Sequence, residues 1–171
     1  MNNRPRPFMR AGVAALLLAG CASRQAAPTA SMAEPPSERV VRNLTTVDAY
    51  YAAAEALDID AFAALWADDG RFLVPWLPAL DIAGKDAIRT SFAQRLAGMT
   101  KITATRDLAP LASGNEVFVR AGMTFQYANG LTYSNTLIAL FTLDDEGKIS
   151  KMEEWLDLEA FRQAFGDLPG R

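Results

Sequence analysis

Several residue types that carry common protein chemistry are missing or scarce in this sequence. Its 171 residues include no histidine and one cysteine, Cys21. A chain without histidine lacks the usual base of a catalytic triad and the commonest protein ligand for metals. A single cysteine excludes an intrachain disulfide and a zinc–thiolate cluster. No acidic run has the spacing of a calcium-binding loop, so we expect no metal site.

Two further absences limit the partners. No glycine-rich loop joins a strand to a helix in the pattern that binds dinucleotides or phosphates, and we expect no cofactor. Basic clusters are absent too: without residues 1–20 the chain has 14 basic against 20 acidic residues. An acidic domain without a basic cluster argues against nucleic acid as a partner.

The apolar run near the N-terminus is too short to cross a membrane as a helix. It covers residues 11–19, whereas a spanning helix needs roughly 20 residues. Because Arg4, Arg6 and Arg10 precede this run, we interpret residues 1–20 as a secretory signal.

The signal ends in Leu18-Ala19-Gly20-Cys21, which resembles a bacterial lipobox. By this resemblance Cys21 becomes an acylated N-terminus, and two or more acyl chains anchor a protein stably to a membrane. The alternative is an ordinary signal whose cleavage falls beside a cysteine. Residues 21–37 are rich in Ala, Pro and Ser and predict a flexible tether, which leaves residues 38–171 as the domain. The implied location is the bacterial cell envelope, at the periplasmic face of the outer membrane.

Hydrophobic spacing predicts three helices in the first half of the domain. Apolar residues recur at three- and four-residue steps over residues 38–57, which predicts a long first helix. Asp58 is placed to cap a short second helix. Gly84 opens a third, in which Ile88, Phe92 and Leu96 lie on one face. A short strand is predicted between these last two helices, at residues 71–74.

From residue 102 the apolar pattern changes to a period of two, which predicts strands. The turns at Asn129-Gly130 and residues 144–147 predict hairpins, the longest over residues 131–157, and a last helical turn follows at residues 158–165. Three helices followed by antiparallel strands predict an α+β fold. In it, a curved antiparallel sheet wraps around a long N-terminal helix with two shorter helices. The open end of such a cone is a pocket.

The order of these elements, together with three strings, resembles the nuclear transport factor 2-like superfamily in its SnoaL-like and ketosteroid-isomerase-like branches. The strings are AEALDIDAFAALWADDGRF with Tyr50 before it, IAGKDAIRTSFA and DDEGKISKMEEWLD. The resemblance covers residues 40–160 and implies a cone-shaped fold. It does not imply one activity, because this fold hosts cyclases, isomerases, dehydratases and binding modules.

Most of the ketosteroid-isomerase site is missing from the matching positions. That enzyme uses a carboxylate base and an oxyanion hole made of a tyrosine and a protonated aspartic acid. The tyrosine matches Tyr50, but the base position before Pro75 is Val74 and the aspartic acid position is Ala139. The resemblance therefore does not support that isomerase mechanism in this chain.

The same resemblance implies a different polar set. The strand positions that face the cone in the family place Glu154 among apolar residues, where a carboxyl is desolvated and its pKa raised. Tyr50 and Asn135 complete the predicted catalytic set. The other expected pocket residues are Trp66, Phe72, Val74, Trp76, Met123, Phe125, Tyr133, Leu137 and Met152.

Each polar residue also has a purely structural interpretation. A one-residue slip of the last strand would turn Glu154 to solvent and bring Glu153 or Trp155 inward. Tyr50 is equally a candidate core tyrosine whose hydroxyl is satisfied. Asn135 is a candidate for a purely structural hydrogen bond at the edge of a strand.

Three functions remain open at this point. The first is binding of a small, largely apolar molecule in the cone. The second is an enzyme of cyclase, isomerase or dehydratase type, in which Glu154 moves a proton while Tyr50 and Asn135 stabilise an oxyanion. The third is a non-catalytic module that forms a homodimer through the outer face of its sheet.

Overall fold

The structure is a computed structural model, and it describes residues 35–166. The predicted signal at residues 1–20, Cys21 and all but the last three residues of the predicted tether lie outside the described residues. Residues 167–171 lie outside them as well.

The described residues form helices first and mostly strands afterwards. The helices are α1 (Glu38–Glu55), α2 (Ile59–Ala64), α3 (Lys85–Leu96) and α4 (Leu158–Phe165). The strands are β1 (Trp66–Leu73), β2 (Asp81–Ala83), β3 (Met99–Thr105), β4 (Leu111–Ser113), β5 (Glu116–Tyr127), β6 (Thr132–Leu143) and β7 (Ile149–Leu156). A single 3-10 turn, Pro78–Leu80, leads into β2.

Side chains at the helix starts explain where three of these helices begin. Ser37 accepts a hydrogen bond from the backbone of Val40 at the start of α1. Asp58 accepts one from Ala61 at 2.9 Å, as predicted for α2. Asp157 accepts from Glu159 and Ala160 and so caps α4. Such caps satisfy N–H groups that have no partner within the helix.

The strands form one unclosed sheet in the order β2-β1-β7-β6-β5-β3, and β4 pairs with β5 beside β3. The predicted α+β class is therefore confirmed. The expectation of a wholly antiparallel sheet is wrong, because β1 and β7 pair in parallel. β1 follows two helices instead of a hairpin, so nothing in its connection requires an antiparallel neighbour.

The helices cover one face of the sheet. α1 contacts β3, β4 and β5 near one edge, whereas α3 contacts β1 and β2 at the other, and α2 packs against both helices. The side chains buried between these layers include Val47, Phe62 and Phe141. Within residues 35–166, no helix combines the length and the apolar character needed to cross a membrane.

β1 starts earlier than the sequence pattern predicts and contains an irregularity. Its register against β7 shifts between Trp66 and Arg71, which is typical of a β-bulge. Gly70 lies buried in this stretch. A Cβ atom there would lie 3.0 Å from the Ala67 carbonyl oxygen and 3.1 Å from the Ile149 carbonyl oxygen. The close approach of the backbone explains why the strand has glycine at this position.

We therefore expect Gly70→Ala to lower the free energy of unfolding by about 1–3 kcal/mol, as overpacking against backbone atoms does. Gly122→Ala in β5 is the matched control, since a Cβ there would lie 3.8 Å from its nearest neighbour, an ordinary contact. Urea unfolding of both variants measures the difference. A Gly70→Ala protein as stable as Gly122→Ala would contradict the close approach.

Candidate functional site

A deep cavity of about 630 Å³ lies between the concave face of the sheet and the helices. Its floor comes from β5, β6 and β7, and its sides come from α1, from the Leu77–Leu80 turn, from the end of α3 and from β3. Nearly all of its lining side chains are aliphatic or aromatic. This volume falls in the usual range for small-molecule sites, roughly 300–1,000 Å³.

Glu154 is the one carboxylate among the described lining residues. It stands on β7 opposite Ala139 of β6, so its cross-strand neighbour is small. Burial raises the pKa of this carboxyl from 4.5 to about 7, and the positive charge of Arg95 partly offsets the effect. A carboxyl with this pKa exchanges its proton readily near neutral pH.

The neighbours of Glu154 along β7 fix its direction. Met152 is buried on the same face, whereas Trp155 is 37% exposed on the outer face. Glu153, also outward, forms an ion pair with Lys151 at 2.8 Å. The alternative register, with Glu153 or Trp155 inward, is therefore not the one observed.

Two tyrosines of α1 line the cavity beside Glu154. Tyr50 and Tyr51 are 5% and 3% exposed, and their rings meet edge to face at 5.3 Å. Burial raises the pKa of both phenols, and the negative charge of Glu154 raises each pKa further. Both hydroxyls therefore stay protonated and can donate a hydrogen bond at physiological pH. Tyr50 also packs on Phe62 and Phe141, so it belongs to the core and to the cavity wall.

Arg95 is a cavity residue that the sequence reasoning missed. It lies in the last turn of α3, and its guanidinium carbon sits 5.1 Å from the Phe72 ring centre and 5.2 Å from that of Phe92. Burial lowers its pKa, and the charge of Glu154 acts in the opposite direction. Its position, three residues after Phe92 and next to Leu96, was the available signal, because those two residues define the inward face of α3.

Asn135 does not line this cavity, and its predicted place in the polar set is wrong. Its Oδ1 accepts a hydrogen bond from the Asp157 backbone N–H at 2.8 Å, and its Nδ2 donates to the Asp157 carbonyl at 2.9 Å. Nδ2 also donates to the Tyr133 hydroxyl. Backbone pairing between β6 and β7 ends at Leu137 and Leu156, and the Asn135 amide continues it towards α4. The strand-edge interpretation of Asn135 therefore describes the structure.

The expected apolar walls divide into two groups. Five residues line the cavity: Met123, Phe125, Tyr133, Leu137 and Met152. Four do not: Trp66, Phe72 and Val74 are fully buried in the core and Trp76 packs against it. These four are corrections to the predicted pocket. For Trp66 and Phe72 the physical reason is that Phe62 and Phe92 pack in front of them, and Val74 and Trp76 belong to the same core. Phe62 packs on Trp66 at 6.2 Å and Phe92 on Phe72 at 5.2 Å, so the inner pair forms the wall instead.

Helix α4 covers part of the cavity mouth. Its Phe161 and Phe165 line the cavity, and Phe165 packs edge to face on Tyr133 at 4.9 Å. The helix is joined to the sheet through the Asn135 bonds to Asp157. The four-residue spacing of Phe161 and Phe165 in the sequence was the signal for this face, because residues four apart share a helix face.

A curved mixed sheet around a long helix, with a cavity at the open end, defines the cone-shaped fold of the nuclear transport factor 2-like superfamily. A family model described as a SnoaL-like domain matches residues 47–152. The chain belongs to this SnoaL-like family, and the predicted family is confirmed. A search of curated protein sequences found no match.

Solved structures share the fold at low sequence identity. One is the BvnE pinacolase from Penicillium brevicompactum, with a TM-score of 0.65, 14% identity and coverage of 77% of this chain and 93% of that one. Another is an LEH-like epoxide hydrolase from M. tuberculosis, with a TM-score of 0.63, 18% identity and coverage of 73% and 90%. A third is an NTF2-like protein of unknown function from Burkholderia pseudomallei K96243, with a TM-score of 0.62, 17% identity and coverage of 74% and 98%. At these identities the likeness shows the fold alone.

The raised pKa of Glu154 makes a prediction about stability. Unfolded, this carboxyl ionises near pH 4.5, whereas in the folded protein it holds its proton to about pH 7. The folded state binds more protons between these values, so its stability falls as the pH rises from 4.5 to 7. We expect Glu154→Gln to be more stable than the wild type at pH 8 by roughly 1–3 kcal/mol and similar to it near pH 4. Urea unfolding across this range measures the effect.

Glu153→Gln is the matched control for this experiment. Glu153 is the adjacent residue on the outer face and pairs with exposed Lys151. Its replacement should leave the wild-type dependence of stability on pH unchanged. Parallel profiles for the wild type and Glu154→Gln would contradict the desolvated position of Glu154.

Proposed function

We propose that this SnoaL-like domain binds a small, largely apolar molecule in its cone cavity. The observation that carries the proposal is the cavity itself, which has about 630 Å³ of space lined by aliphatic and aromatic side chains. A drug-sized molecule that enters such a space loses most of its apolar surface from water, and this is the main favourable term in binding.

The arrangement of the mouth supports the same function. Phe161 and Phe165 of α4 stand at the cavity, and α4 has no residue of its own buried in the core. A helix with an apolar face towards a cavity gains burial when an apolar molecule fills the space beneath it. A ligand in the cavity would therefore contact the strands on one side and helix α4 on the other.

A neutral apolar dye, N-phenyl-1-naphthylamine, tests this proposal directly. We expect saturable fluorescence enhancement with the wild-type protein. Ala54 lies on α1 in the cavity wall, so Ala54→Trp should fill the space and weaken dye binding at least about tenfold. Ala52→Trp, on the exposed face of the same helix, should bind as the wild type does. Equal binding by both tryptophan variants would place the dye outside the cavity.

A second candidate function is proton transfer on the bound molecule. The observation that favours it is Glu154, which has a pKa of about 7 and shares the cavity with Tyr50 and Arg95. Its carboxylate would remove a proton next to a substrate carbonyl, and the Tyr50 hydroxyl and Arg95 guanidinium would stabilise the resulting oxyanion. The pinacolase and the epoxide hydrolase, which share this fold, are enzymes.

Hydrogen exchange on a simple apolar ketone, 2-tetralone, tests the second candidate without knowledge of the natural substrate. In D₂O the wild type should accelerate deuterium incorporation next to the carbonyl about 10²-fold or more over buffer. Glu154→Gln should return the rate to that of buffer, while Glu153→Gln should keep the wild-type rate. Exchange that is equal in the wild type and Glu154→Gln would rule out Glu154 as the base.

We also propose that the domain acts at the cell envelope, attached through acyl chains on Cys21. This proposal is supported by the sequence Leu18-Ala19-Gly20-Cys21 alone. Cys21 itself lies outside the described residues. An anchored binding domain would meet apolar molecules at a membrane surface, where such molecules partition.

We propose, finally, that the domain forms a homodimer through the outer face of its sheet. Phe118 of β5 and Trp155 of β7 are 38% and 37% exposed on that face, and Leu140 and Ile138 lie between them on β6. Exposed apolar side chains on neighbouring strands favour association with a second surface. The dimer is compatible with either function of the cavity, which opens on the opposite face.

A further inference from the structure

Arg95 differs in its surroundings from five other arginines of the described residues. Arg39, Arg71, Arg89, Arg106 and Arg120 each form an ion pair with an aspartate at the protein surface. The Arg95 side chain instead faces an apolar cavity. Its Nη2 atom is buried and has no hydrogen-bond partner among the described residues.

The guanidinium of Arg95 lies against two aromatic rings. Its carbon is 5.1 Å from the Phe72 ring centre and 5.2 Å from that of Phe92. Such cation–π contacts use none of the conventional hydrogen bonds of the guanidinium, so the unpartnered Nη2 atom can still donate to an acceptor. A carboxylate or another anionic oxygen fits this geometry, because guanidinium N–H groups bind such oxygens in their own plane.

Few groups of the protein that line the cavity can balance the positive charge of Arg95. Glu154 is the one carboxylate among the described lining residues, and burial keeps it protonated up to about pH 7. The other titratable groups in the described lining are phenols: Tyr50 and Tyr51 on α1, Tyr127 on β5 and Tyr133 on β6. A partly buried guanidinium whose Nη2 atom has no partner is costly, and an anion supplied by a ligand would reduce that cost.

We propose that Arg95 binds an anionic oxygen of the ligand, and that the cavity therefore selects apolar organic acids. The proposal deepens the binding function given above and depends on it. The acidic oxygen, whether carboxylate, enolate or phenolate, lies against Arg95, while the apolar body fills the space lined by residues such as Met123, Phe125 and Leu137. Neutral molecules of the same shape leave the guanidinium unpaired.

Glu154 links this binding to pH. An anion bound at Arg95 repels the ionised form of Glu154 and so favours the protonated carboxyl. By linkage, binding near pH 7 takes up a proton, and affinity for the acid falls as the pH rises above 7. The same anion would leave a glutamine at position 154 unaffected, so Glu154→Gln loses the proton uptake and keeps its affinity at higher pH.

Two fluorescent probes of matched shape test the inference: anthracene-9-carboxylate and anthracene-9-carboxamide. With wild-type protein at pH 6.5 we expect the acid to bind about ten- to a hundredfold more tightly than the amide. Arg95→Met should bind the acid no more tightly than the amide, and saturable amide binding by this variant shows that the cavity is intact. Arg89→Met is the control, since Arg89 lies on the same helix but pairs outward with Asp60 at 2.6 Å.

Calorimetry in two buffers of different ionisation enthalpy adds a second readout. The acid should bind with an uptake of about half a proton at pH 7 in the wild type and none in Glu154→Gln. Acid and amide of equal affinity in the wild type, or a preference that survives Arg95→Met, overturns the inference and leaves cavity binding standing. Failure of both probes and of the neutral dye overturns the proposed binding function and this inference with it.

Discussion

The site depends on one constraint, the placement of an ionisable carboxyl inside an apolar cavity. Glu154 occupies an inward position of β7, and the pairing of β7 with β6 on one side and β1 on the other fixes that direction. A shift of one residue would exchange Glu154 for an outward neighbour, and the cavity would lose its carboxylate. Since β7 lies in the interior of the sheet, such a shift would disrupt pairing on both sides.

The other polar groups take their properties from this placement. Tyr50 and Tyr51 remain protonated because they are buried beside Glu154, whose charge further disfavours their ionisation. Arg95 lowers the pKa of Glu154 but does not return it to the ordinary range. The cavity thus contains a positive charge, a carboxyl that titrates near neutrality and, next to that carboxyl on α1, two neutral phenols. This combination suits a ligand that brings an oxygen with negative charge or one on which negative charge develops.

The fold could be predicted from the sequence where one signal dominates. Alternation over β5 identified its inward residues, the family resemblance supplied those of β6 and β7, and the capping residues Asp58 and Gly84 marked helix starts. The parallel pairing of β1 could not be read in this way, because alternation indicates which face is buried but does not specify the neighbouring strand. The strand was predicted to begin at residue 71 instead of Trp66, because the bulge in β1 interrupts the period of two.

The site could be predicted only in part, for physical reasons that differ from residue to residue. Glu154 and Tyr50 were predicted from the family resemblance, which matches Tyr50 to a pocket tyrosine and places Glu154 on the face of its strand that points into the cone. Phe72 and Val74 were rightly expected to be inward, but inward residues fill either a core or a cavity, and Phe92 in front of Phe72 decides which. Arg95 was missed because the inward stripe of a helix was identified by its apolar residues. Asn135 was assigned to the catalytic set because its structural role depends on where β7 ends, which the sequence pattern does not show.

The most direct test of this account is the ionisation of Glu154 itself, followed through its side-chain carboxyl carbon by NMR in ¹³C-labelled protein. Glu154→Gln assigns the signal by its disappearance. The account predicts a midpoint near pH 7, well above the ordinary value of 4.5 for a glutamate. A midpoint near 4.5 would mean that the carboxyl is solvated, and the cavity would then lack the group on which its proposed chemistry depends.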